Sequence, residues 1–134
     1  MKFMLDTNIC IYIIKQKPRK VLQHFMKYSA GDIGISSITL AELQYGVEKS
    51  QHVQKNQDAL KEFVLPLEIA HFDEVAARSY GAIRVGLEKS GKPIGAMDTL
   101  IGAHALSLGV PLVTNDTKEF RQIKGLKVID WTAH

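Results

Sequence analysis

The sequence predicts an α/β fold of three layers, α/β/α, with helices on both faces of a parallel sheet of about five strands. Three observations carry this. Short apolar runs alternate with longer segments of helical periodicity from one end of the chain to the other. The connections between them are short. No repeat, low-complexity segment or linker divides the 134 residues, so a single domain spanning 1–134 is expected.

The elements follow in order. "KFML" (2–5) is the first strand. "NICIYIIKQ" (8–16) is apolar almost all round and reads as a buried helix capped by Thr7. Pro18 opens a second helix, in which Val21, Leu22, Phe25 and Met26 share a face. "DIGIS" (32–36) is the second strand. The helix in "SSITLAELQYGVEKS" places Leu40, Leu43 and Val47 at helical spacing, and "NQDALKEFVL" (56–65) is helical again. "PLEIAHF" (66–72) is the third strand, led by Pro66, which a strand tolerates at its first residue. A long amphipathic helix runs from Asp73, a good cap, to Gly91, a good stop. "GKPIGAM" is a loop. "DTLIGAHALSLG" is an apolar helix that Asp98 opens and Gly109 ends. "VPLVT" and "LKVID" are the last two strands.

Composition narrows the function classes. Hydrophobic residues make up 46% of the chain and charged residues 23%, which suits a folded core and excludes a disordered tail. Cys10 is the single cysteine, so no intramolecular disulfide forms and a reducing, cytoplasmic setting is expected. No signal peptide is visible, and the apolar run "ICIYII" is far too short to span a bilayer. The net charge of +3 and pI near 9.0 are compatible with a polyanion partner without demanding one.

In open parallel sheets, ligands bind beyond the carboxyl ends of the strands, where the strand order reverses. Asp6 follows the first strand. Asp116 follows the fourth, with Thr114 and Asn115 beside it. Asp98 opens the helix before that strand, and Glu42 interrupts the apolar "TLAELQYG". Taken singly, each aspartate has the ordinary reading of a helix cap. Glu42 is harder to explain so, because a largely hidden helix rarely carries an unpaired charge. Taken together, four acids from four distant segments could meet at one sheet edge. Carboxylates at close range repel unless a proton or cation lies between them. Oxygen donors without a His or Cys set favour a hard divalent ion, and such an ion suits phosphoryl chemistry.

The motifs "MLDTN", "SSITLAELQYG", "PIGAMDTLIGAHAL" and "LVTNDTKEF" resemble, in order and over essentially the whole chain, those of PIN-domain ribonucleases. The pattern is most similar to the VapC toxins of bacterial toxin–antitoxin pairs. The resemblance implies an Mg²⁺- or Mn²⁺-dependent endoribonuclease, held in check by a VapB-type antitoxin. It also implies a toxin homodimer within a larger complex. Asp6, Glu42 and Asp98 match the metal-binding acids of the family. Asp116 is the favoured fourth acid because it lies closer to the strand end, with Glu119 as the alternative. Thr7, Asn8 and Thr114 match small polar positions that orient the acids, and Asn115 adjoins them. Initiator tRNA, cut in its anticodon loop, is the substrate suggested by similar toxins.

Lys15, Lys17, Arg19 and Lys20 cluster after the first helix, and Lys118, Arg121, Lys124 and Lys127 cluster near the end. They read either as basic rims for RNA phosphates or as solvated helix faces. Cys10 reads as a buried structural cysteine, His104 as packing or solvent, and Trp131 as a hydrophobic lid on the last strand. Two rival functions remain to be weighed. A phosphatase of the haloacid dehalogenase type would use Asp6 as nucleophile but needs a second acid where Asn8 stands. A non-catalytic acidic Mg²⁺-binding receiver module needs paired acids after the first strand and an aspartate after the third, which "PLEIAHF" does not supply.

Overall fold

The computed structural model describes residues 1–133. Five parallel strands form one sheet: β1 (Phe3–Leu5), β2 (Ile33–Ser36), β3 (Glu68–Ala70), β4 (Leu112–Val113) and β5 (Val128–Ile129). Their order is β3-β2-β1-β4-β5. The chain winds outward from β1 to β3 and then crosses back to lay β4 on the other side of β1. The order therefore reverses between β1 and β4, the switch point beyond whose carboxyl ends open α/β sheets bind ligands. Met4 pairs with Leu112 and Leu5 with Val113, so the residues following both strands emerge side by side.

Among the described residues, seven helices flank the sheet: α1 (Thr7–Lys15), α2 (Arg19–Phe25), α3 (Ser37–Glu48), α4 (Val53–Val64), α5 (Glu74–Lys89), α6 (Ala96–Leu108) and α7 (Thr117–Phe120). Successive strand side chains point to opposite faces, and two cores result. Leu5, Ile33, Ile35 and Val113 face α1 to α4 through Ile9, Ile13, Val21, Leu43, Leu60 and Phe63. Met4 and Leu112 face the other way, against Leu87 of α5, Ile101 and Ala105 of α6, and Phe120 of α7. The expected three layers are present. Gly34 is required in the central β2, since a Cβ there would lie 2.6 Å from the Glu68 carbonyl oxygen of β3.

Several expectations need correction. Thr7 is the first residue of α1 and Asp6 is its cap, accepting a hydrogen bond from the Thr7 N–H. Pro18 caps α2 without belonging to it. α4 starts at Val53, three residues earlier than the periodicity suggested. α6 starts at Ala96, so Asp98 lies in its first turn instead of opening it. The short α7 was not among the expected helices, although "DTKE" carries the Asp-x-x-Glu spacing of a helix start.

Other expectations hold. Asp73 caps α5 through the Ala76 N–H. Gly109 ends α6 with φ of 68°, a left-handed conformation that costs glycine least. Cys10 is buried and free, and burial pushes its thiol well up. Trp131 is buried, its ring stacked against His24 and Tyr28. Among the described residues, no helix is long and apolar enough to cross a membrane.

Candidate metal centre

The site is assembled from the ends of β1 and β4 and the helices beside them. Asp6 leaves β1 directly into α1, and its carboxylate is held at both oxygens. Oδ1 accepts from the Thr7 N–H at 2.8 Å, and Oδ2 accepts from the Thr114 hydroxyl at 2.8 Å. The Thr114 hydroxyl oxygen in turn accepts from the Asp116 N–H at 3.0 Å. Thr7 also donates its hydroxyl to Glu42 Oε1 at 2.6 Å, bringing α3 to the start of α1. The threonines expected to orient the acids thus do so by named bonds.

Asp98, Asp116 and Glu119 each offer a carboxylate oxygen, and the three lie within 4.8 Å of one another. Asp98 comes from the first turn of α6. Asp116 and Glu119 lie one helical turn apart at α7, on one face. The choice posed between Asp116 and Glu119 does not arise geometrically, because both face Asp98. The Asp-x-x-Glu spacing in "DTKE" was the sequence signal for this pairing.

The electrostatics bind Asp6 and Glu42 to the same cluster. Burial pushes the Asp98 carboxyl up to about 7, and the charges of Asp6, Glu119, Asp116 and Glu42 push in the same direction. Asp6 is also raised, first by burial and then by Glu42 and Asp116, but the hydrogen bonds from Thr114 and Thr7 pull it down. Asp98 accepts no such bond among the described residues, so nothing stabilises its charged form. Nor does any Lys, Arg or His lie within ion-pair distance of these five carboxylates among the described residues. Five acids without a counter-charge, oxygen donors throughout and a half-buried setting fit a hard divalent cation.

Other candidate residues sit differently. Asn8 is exposed and makes no side-chain hydrogen bond among the described residues. Asn115 donates to the Tyr12 hydroxyl at 3.3 Å, fastening the β4 end to α1. Lys15, Lys17, Arg19, Lys118 and Arg121 are exposed. Lys15 shares with Glu42 a groove of about 370 Å³ between α1, α3 and α4. His104 is fully buried, its Nδ1 2.7 Å from the Ser36 hydroxyl.

The PIN domain family matches residues 3–126. A Shigella flexneri protein named tRNA(fMet)-specific endonuclease VapC is 45% identical over 132 residues, covering 98% of this chain and 99% of that one. The chain belongs to the PIN-domain family, in its VapC group. Among solved structures, this PIN domain resembles DNA-bound VapBC from Salmonella typhimurium, at 43% identity and a TM-score of 0.92 over 98% of each chain. It also resembles VapBC2 from Rickettsia felis bound to a promoter DNA fragment, at 42% identity and a TM-score of 0.90, over 98% of this chain and 99% of that one. The phosphatase alternative finds no support beside a PIN domain. Its required second acid is absent, since exposed Asn8 stands there.

Proposed function

We propose that this PIN domain, spanning residues 1–134, is a metal-dependent endoribonuclease and the toxin of a toxin–antitoxin pair. The observation that carries this is the convergence of five carboxylates from four distant segments with no Lys, Arg or His at ion-pair distance among the described residues. Asp98, Asp116 and Glu119 would hold Mg²⁺ or Mn²⁺, with Asp6 and Glu42 completing the acidic wall. A divalent ion bound there supplies charge neutralisation on the phosphate oxygens and acidifies water for attack at neutral pH.

The chain's own residues do the rest. Asp6 is held at both carboxylate oxygens by hydrogen bonds, which fix its orientation in the site. Thr7 holds Glu42 Oε1, so the α3 side of the site does not drift. Asp98 gives up its proton when a cation arrives, because its carboxyl titrates near neutrality.

Initiator tRNA is the substrate we favour, on the name of the Shigella relative. A VapB-type antitoxin is the partner, on the VapBC complexes among the solved relatives. A homodimer within that complex, in the cytoplasm, completes the reading. The test is sequencing of RNA cleavage ends after brief induction without antitoxin. A discrete cut in one tRNA is expected, and unaltered RNA ends with normal growth would defeat the proposal.

A further inference from the structure

RNA is a polyanion, and the centre that would cut it is a wall of carboxylates. Even with a divalent ion in place, the cluster carries excess negative charge, so the attraction that holds RNA must come from outside it. The 91–95 loop and α7 supply a place for it. Lys92 and Lys118 line one open cleft of about 500 Å³, together with Gly91, Pro93 and Gln122. They are the charged residues of that lining, and both are exposed. Neither has a carboxylate within ion-pair distance among the described residues.

Two segments of the chain connect the cleft to the acids. Lys118 is the immediate neighbour of Glu119 on α7. The loop that carries Lys92 ends at Gly95, where a Cβ would stand 3.9 Å from Asp98 Oδ2. Unpaired ammonium groups beside a cluster of acids are the reverse of what mutual neutralisation would produce. They are free for an anion supplied from outside.

We propose that the Lys92–Lys118 cleft is a phosphate subsite that holds the RNA backbone next to the scissile bond. This rests on the nuclease reading above. Lysine is a point charge with rotatable donors, and the lining offers no aromatic ring for stacking a base. The subsite therefore supplies affinity without sequence discrimination.

The experiment uses the full chain and two labelled single-stranded RNA oligonucleotides of unrelated sequence. Binding is read by fluorescence anisotropy without divalent metal, over a range of salt. Cleavage is read separately in Mn²⁺ on initiator tRNA, the substrate favoured above. The double variant Lys92→Ala/Lys118→Ala is compared with Lys2→Ala/Lys27→Ala, which removes the same charge just before β1 and in the turn that leads into β2, across the sheet from the acids.

Loss of both cleft lysines should weaken binding about tenfold for both RNAs and flatten the log–log salt slope by about 1.4, at roughly 0.7 per phosphate contact. KM for cleavage should rise in parallel with kcat held within about twofold. The control pair should change neither. Equal losses in both pairs, or an unchanged salt slope in the cleft variant, would overturn the subsite. If the wild type binds RNA but cleaves nothing in Mn²⁺, the nuclease reading fails, and the binding arm still decides the subsite by the same comparison.

Discussion

Thr7 and Glu42, thirty-five residues apart, are joined by a hydroxyl-to-carboxylate hydrogen bond of 2.6 Å. It spans the gap between the first turn of α1 and the middle of α3. Its donor sits next to Asp6, so one residue steadies acids from two segments. Thr7→Val keeps the branched shape and removes the donor. It should leave the fold intact, weaken Mn²⁺ binding about tenfold and slow cleavage by a similar factor, as outer-shell losses do. Isothermal titration with Mn²⁺ checks the first effect, and wild-type affinity in the variant would show that the bond is ornamental.

Asp98 accepts no hydrogen bond among the described residues and faces the charge of four other carboxylates. Asp98→Asn removes a charge that four neighbouring carboxylates disfavour. Cleavage should fall below detection, and Asp6→Asn should do the same. The metal-free Asp98 variant should be more stable than wild type, by on the order of 1 kcal/mol after allowance for solvent screening. Thermal unfolding in EDTA measures this. A variant that cleaves at the wild-type rate would remove Asp98 from the centre.

Much of this arrangement was legible beforehand, for identifiable reasons. Asp6 and Asp116 announce themselves because each ends an apolar run, and a parallel sheet collects such ends at one edge. Glu42 stands out as a charge in an apolar helix. Glu119 stood second to Asp116 because it lies farther from the strand end, and α7, only four residues long, is too short for periodicity to set both acids on one face. The start of α4 at Val53 was hidden by the polar "QKNQ", whose exposure breaks the apolar spacing. The role of Thr7 was misassigned by one position, because Asp6 and Thr7 are both good caps and Asp6 takes the bond. The Lys92–Lys118 cleft depends on the path of a loop, which no pattern of residue types encodes.

Metal affinity should depend on pH with a defined sign. The Asp98 carboxyl titrates at about 7 in the folded protein, against an ordinary value of 3.8. Between those values the folded metal-free protein binds more protons than the unfolded chain. Its stability therefore falls as pH rises from about 4 to about 7. A cation must displace the same proton, so Mn²⁺ affinity should climb through that window and level off above about 7. Titration in two buffers of different ionisation enthalpy should reveal proton release near pH 6. Affinity that is flat from pH 5.5 to 8 would contradict the assignment.

His104 couples the fold to the centre through a buried polar junction. It lies on α6, six residues beyond Asp98, and its Nδ1 meets Ser36 Oγ at 2.7 Å. Ser36 ends β2 and caps α3, accepting from the Ile38 N–H. The next residue, Ser37, accepts from the Phe72 N–H beyond β3, and the Phe72 ring packs edge-on to the imidazole. Burial lowers the His104 pKa, opposed by the charge of Asp73 and the His71 carbonyl, so the ring is neutral at pH 7. Neutral imidazole lets Nδ1 accept the Ser36 hydroxyl while Ser36 still caps α3. His104→Ala should open a cavity and strand the Ser36 hydroxyl, costing about 2–4 kcal/mol. His104→Asn restores a polar partner in a smaller volume and should recover part of that stability. Because α6 carries Asp98 and α3 carries Glu42, loosening their junction should also weaken Mn²⁺ binding, measured well below the unfolding temperature. A His104→Ala protein that unfolds at the wild-type temperature would show that the junction bears no strain from either helix.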